Sequence, residues 1–112
     1  MPGTIRDILS PFLDYLKFEK RYSAHTIRSY QSDLHQLDDY LQQQLGGMEA
    51  VALSPVILRS WMASLKESGL EARSINRKIS SVKSFFRFHQ RKGTLDSNPA
   101  ITLKVMKTGK RL

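Results

Sequence analysis

Residues 72–92 constrain this fold more than any other stretch. Ile75, Ile79, Val82, Phe85, Phe86 and His89 recur at helical spacing. Arg73, Arg77, Ser80, Ser84, Arg87 and Arg91 fall between them at steps of four and three. A helix that repeats every ~3.6 residues gathers the first set into one apolar stripe and the second into one outward row. About 20 residues at ~1.5 Å each make a rod of about 30 Å. Such a rod must bury its stripe, so the rest of the chain has to supply packing partners.

The partners read as helices too, since strand signals are almost absent. The first predicted helix covers about residues 4–20, with Ile5, Ile8, Leu9, Phe12, Leu13 and Leu16 as its stripe. Its stripe runs through Pro11, which predicts a kinked helix rather than a fresh start capped by Ser10. Lys17, Lys20 and Arg21 cluster at its end, where cations suit the helix dipole. The second starts after Ser23 as N-cap and ends at Gly46-Gly47, burying Ile27, Tyr30, Leu34, Leu37, Leu41 and Leu45. Its polar side carries His25, Arg28, Ser29 and Ser32 early, and Asp38 and Asp39 late. The third starts at Ser54-Pro55 and runs to Ser68-Gly69, with Ile57, Trp61 and Leu65 facing inward. A lone tryptophan at that spacing is a core residue. Gly93 stops the fourth, and Asn98-Pro99 opens a short final helix over about 99–106. The expectation is all-α: four helices plus a short C-terminal helix.

Charge is divided unevenly. Net charge is +8 over 112 residues, yet residues 1–72 hold seven basic and nine acidic side chains, while 73–112 hold eleven basic and only Asp96. A near-neutral body with one basic end points to a polyanion met from one side. Arginine pairs with phosphate or a base edge, and serine lets a helix lie close to a groove. On the second helix, carboxylates late in the sequence leave only the N-terminal half suited to phosphate.

Catalytic signatures are missing. The histidines at 25, 35 and 89 lack metal-ligand spacing, and His89 falls on the apolar side. No nucleophile elbow, phosphate loop or dinucleotide glycine pattern occurs. Asp38-Asp39 are helix neighbours pointing about 100° apart, a poor acid/base pair. There is no cysteine, hence no disulfide or thiolate metal site. The start Met-Pro-Gly-Thr does not read as a signal peptide, and no run approaches a membrane span. The expectation is a cytoplasmic binding domain without cofactor, metal or membrane.

Three segments carry a family resemblance. Tyr15-Leu16, then Ser23-Ala24-His25-Thr26-Ile27-Arg28-Ser29-Tyr30, then Asp33-Leu34, resemble the opening of the core-binding domain of tyrosine recombinases, the phage integrase-like family. Ser74 to Phe88 resembles the last long helix of that domain, and Asn98-Pro99-Ala100 its Asn-Pro motif. The likeness spans about residues 5–106, is similar above all to Xer-type recombinases, and differs where His25 stands for a commoner asparagine. It implies a SAM-like bundle forming half of a clamp on duplex DNA, with the second and fourth helices toward the major groove of a recombination half-site. It implies a domain at 1–106 and a basic linker at 107–112. It further implies a C-terminal catalytic domain outside this chain, so that this chain alone is not an enzyme. Tetramers on DNA are expected of the full-length protein, and a monomer of the isolated domain.

By position, the resemblance assigns Thr26 and Arg28 to the start of a DNA-facing helix, and Arg77 and Lys83 to the last one. Tyr30 matches a motif tyrosine of the family, and its place on the apolar stripe favours packing. The candidate DNA-contacting set is His25, Thr26, Arg28, Ser29, Ser32, Arg73, Asn76, Arg77, Lys78, Ser80, Ser81, Lys83, Ser84, Arg87 and Arg91. Of these, Arg28, Lys78, Lys83 and Arg91 are expected on phosphates, and Arg73, Asn76, Arg77, Ser80 and Ser84 near base edges. Two alternatives are a basic helical binder of RNA or DNA without sequence preference, and a protein-interaction module.

Overall fold

The computed structural model of the chain describes residues 3–107. They form helices α1 (Leu9–Phe18), α2 (Ala24–Leu45), α3 (Pro55–Glu67) and α4 (Ala72–Lys92), with 3-10 turns at Arg6–Ile8 and Ala50–Ala52. No strand occurs among the described residues. The all-α expectation stands.

Helix ends follow local chemistry. Ser23 Oγ accepts the Thr26 N–H at 3.1 Å, and Ser54 Oγ accepts the Ile57 N–H at 3.3 Å with Pro55 in the first turn. Gly46 (φ 71°) and Gly93 (φ 84°) close α2 and α4 in the left-handed region, where a Cβ is disfavoured.

The first helix departs from expectation. It is not one kinked rod over 4–20. A 3-10 turn ends at Ile8, whose φ of −114° and ψ of 17° break the helix, and α1 starts at Leu9. Pro11 then lies in the first turn, where its missing N–H has no helical partner to lose. Ser10 is not the cap. The cap belongs to the 3-10 turn: Thr4 Oγ1 accepts from Asp7 N–H at 3.3 Å, and Asp7 Oδ2 accepts from Thr4 N–H at 3.0 Å.

The core lies where α1, α2 and α4 meet. Phe12 is fully buried against Phe85 edge-on (5.5 Å between centroids), with Tyr30 at 5.8 Å and Phe88 at 5.6 Å. Trp61 from α3 is buried, as expected. His89 is buried too, its Nε2 2.7 Å from the Ile8 carbonyl oxygen. α2 and α4 run antiparallel, because Gln36 and Asp33 meet Lys78 while Tyr30 lies beside Ser84 farther along. Burial of the α2 stripe ends at Leu41. Leu45, expected inside, is 48% exposed in the last turn.

Past Gly93 the expected short helix is a single turn over residues 99–102. Asn98 does cap it, its Oδ1 accepting the Ala100 N–H at 3.0 Å. The chain then extends along α4 because side chains of α4 take its backbone groups. Lys83 Nζ donates to the Leu103 carbonyl at 2.8 Å. The Asn76 amide holds both polar groups of Met106, at 2.8 and 2.7 Å. These bonds satisfy carbonyls and an N–H that a helix would otherwise claim. Of the expected linker 107–112, Lys107 is exposed and the rest lies outside the described residues.

Candidate nucleic-acid interface

A groove of about 260 Å³ opens between the start of α2 and the middle of α4. His25, Thr26, Ser29, Tyr30 and Asp33 line one wall, and Arg77, Ser80 and Ser81 the other. The antiparallel packing of α2 on α4 sets this pairing. The N-terminal end of α2 contributes its positive dipole, with no acidic residue in its first turn. α4 likewise has no acid in its first turn.

Arg73, Arg77, Ser80, Arg87 and Arg91 of the outward row are exposed, and Ser84 is half-buried. The row continues past the groove into a second cavity of about 150 Å³. Ser84, Arg87 and Arg91 line it with Lys20, Tyr22 and Tyr30, over a floor that includes Phe12, Tyr15 and Phe88. Burial pushes the Tyr30 phenol above its ordinary 10.0, helped by the neighbouring Tyr22. Arg28 and Ser32 are exposed but line neither cavity, and Ser32 Oγ accepts from Gln36 Nε2 at 3.4 Å.

Lys78, Ser81, Asn76 and Lys83, all expected as contacts, are buried or half-buried and engaged within the protein. Lys78 is no surface cation: its side chain is 5% exposed and its ammonium donates to Asp33 Oδ1 at 3.0 Å and to Gln36. Ser81 is buried, donating to Asp33 Oδ2 at 2.8 Å. Asn76 and Lys83 spend their polar atoms on Met106 and Leu103. The physical reason is common to all four. A helical wheel fixes the angle of a side chain, whereas a facing helix or an extended segment decides whether that angle reaches water.

The sequence reading missed the organiser of the groove. Asp33 is fully buried and collects four donors: Lys78, Ser81, and Arg77 through Nε at 3.4 Å and Nη2 at 2.8 Å. Arg77 itself remains 55% exposed. A signal was present. Asp33 lies four residues before Leu37, and Lys78 lies between Ile75 and Val82, so both fall on apolar stripes. Lys20 and Tyr22, on the wall of the second cavity, stand outside the expected contact set, since in sequence Lys20 reads only as a helix-end charge.

On the far side of α2, Asp38 is buried and Asp39 exposed, and Arg6 bridges them at 2.7 and 2.9 Å. Asp38 thus departs from the expected polar face. Among the described residues no three His, Asp or Glu side chains gather as a metal would require. No helix there is long and apolar enough to cross a membrane.

Comparison with known proteins agrees with this architecture. Residues 9–93 match the family model described as phage integrase, N-terminal SAM-like domain. A tyrosine recombinase XerC of Oceanobacillus iheyensis is 36% identical over 103 residues, 91% of this chain and 33% of its own length. A XerC of Bacillus subtilis is 30% identical over 109 residues, covering 96% of this chain and 35% of the relative. A XerD of Rickettsia bellii is 33% identical over 106 residues, covering 95% and 34%. The chain therefore spans about a third of the length of the curated relatives it matches. No solved structure matches it significantly. With most of its length inside the matched region, this chain belongs to the phage integrase N-terminal SAM-like domain family.

Proposed function

We propose that this chain is a DNA-binding domain of a site-specific tyrosine recombinase and grips duplex DNA through the start of α2 and the outward face of α4. The observation that carries this reading is the groove at His25, Thr26, Ser29, Arg77 and Ser80, continued along α4 by exposed arginines. A ~30 Å helix with arginines and short serines on one side suits the major groove, which admits a helix. Arg28, Arg73, Arg87 and Arg91 hold phosphates, with Lys20 extending the same line, while Arg77 and Ser80 approach base edges. Lys78, Ser81, Asn76 and Lys83 act behind that face, by holding α4 and its flanking segment.

The relatives are named tyrosine recombinases, and about two thirds of their length lies beyond the match. Strand exchange is therefore assigned to another part of such a protein, with this domain serving its catalytic domain and a tetramer assembled on DNA in the cytoplasm. The domain alone is a monomer.

The test is a titration of a duplex half-site at low salt, followed by backbone amide NMR shifts, then repeated as salt is raised. Shifts at residues 24–32 and along the α4 row, reversing with salt, are expected. Shifts confined to Lys104–Lys107, or none, would sink the interface. Equal affinity for scrambled duplexes and for RNA would instead mark a binder without sequence preference.

A further inference from the structure

We propose that Asp33 is a positioning residue that makes Arg77 a reader of guanine; this rests on the DNA-binding reading above. A guanidinium has two edges that each offer a pair of parallel donors: Nε with Nη2, and Nη1 with Nη2. Asp33 occupies the first edge, at 3.4 Å from Nε and 2.8 Å from Nη2. Among the described residues nothing accepts from Nη1, and Arg77 is 55% exposed on the groove wall. The second edge is therefore presented outward.

Asp33 does not require Arg77 for its own burial. Lys78 compensates its charge and Ser81 takes the other oxygen. The arginine is the additional partner, and what the contact achieves is a fixed guanidinium. A fixed pair of donors matches the O6 and N7 acceptors of guanine in the major groove. Adenine offers a donor at one of those places, thymine a single acceptor beside a methyl, and cytosine a donor. The neighbours Thr26, Ser29 and Ser80 are small, which lets the helix approach a base edge.

The experiment measures competition binding to half-site duplexes in which each base pair is varied in turn. The wild type is expected to prefer G·C at one position by about tenfold to a hundredfold. Arg77→Lys keeps the charge and lacks the second edge. It should lose much of that preference, because a flexible ammonium is a point charge rather than a planar fork, with a smaller change at other positions. Asp33→Asn should lose the same preference, read as the ratio of G·C to the other base pairs at that position so that any general loss from the uncompensated Lys78 cancels. Relaxation of the Arg77 side-chain Nε–H in the free wild-type protein needs no variant, and a rigid guanidinium is expected. A mobile one, a wild type without a guanine preference at any position, or an Arg77→Lys loss equal across all duplexes, as for a phosphate contact, would overturn the assignment. Failure of the wild type to bind any duplex would overturn the DNA-binding reading itself.

Discussion

Two buried aspartates lie five residues apart on α2 and are treated differently by the fold. Asp33 faces α4 and takes donors on both oxygens from Arg77, Lys78 and Ser81. Asp38 faces the N-terminal segment and is held on one oxygen by Arg6 at 2.7 Å, while its Oδ1 is buried without a partner. Arg6 divides itself between Asp38 and exposed Asp39, and these carboxylates, Asp39 foremost, hold its guanidinium more firmly charged against the opposing effect of burial. Burial alone does not reveal what a carboxylate is for. A carboxylate saturated with donors organises its surroundings, whereas one with a spare oxygen only fastens two segments together.

Removing the Asp33 carboxylate has the largest expected effect. Asp33→Ala strands the buried Lys78 ammonium and should cost about 3–5 kcal/mol in urea unfolding. Asp33→Leu with Lys78→Met removes both charges and should recover most of that loss. Arg77→Ala should weaken half-site binding by about 1–3 kcal/mol, with a urea midpoint close to wild type because Lys78 and Ser81 still satisfy Asp33. Arg6→Ala leaves Asp38 without its ion pair and should cost about 1–2 kcal/mol of stability, with unchanged DNA affinity.

A pH series adds a smaller effect at the Ile8 end of the same N-terminal segment. Burial pushes the His89 imidazole below its ordinary 6.5, Lys92 adds to this, and the Ile8 carbonyl opposes both. The unfolded chain then takes up the proton first, so this contribution is intact above about pH 6.5 and is lost as pH falls toward the folded value. The wild-type urea midpoint should therefore drop more between about pH 7.5 and about pH 5 than that of His89→Phe. An equal drop would mean that His89 carries no part of the acid sensitivity. The smallest change is Asn76→Ala, expected to cost about 1 kcal/mol and to speed hydrogen exchange at the Met106 amide selectively.

The limits of α2, α3 and α4 and the apolar stripe of α4 were legible in sequence because they are local. Ser23, Ser54, Gly46 and Gly93 act on their own helices, and Ile75 to His89 must face inward at helical period whatever covers them. The outward arginine row was legible for the same reason. Lys78 and Ser81 are buried where their charge and hydroxyl suggest solvent, because their partner lies 45 and 48 residues away on another helix. Asn76 and Lys83 are half-buried because the segment that claims their polar atoms lies along α4 instead of forming a helix of its own. What pattern reading lacks is the far partner. A polar side chain on an apolar stripe is the local trace that partner leaves.

The extended stretch at Leu103–Met106 has a consequence of its own. It is tied to α4 at Lys83 and at Asn76, the immediate neighbour of Arg77. A load applied to the chain at residue 106 is thus delivered to the N-terminal third of α4 and bypasses the turns at 93–102. Linkage makes any such coupling equal in both directions. If seating α4 on a ligand tightens the grip on Met106 by some factor, then seating Met106 tightens the ligand by the same factor. The helix and the strap beside it share one mechanical frame.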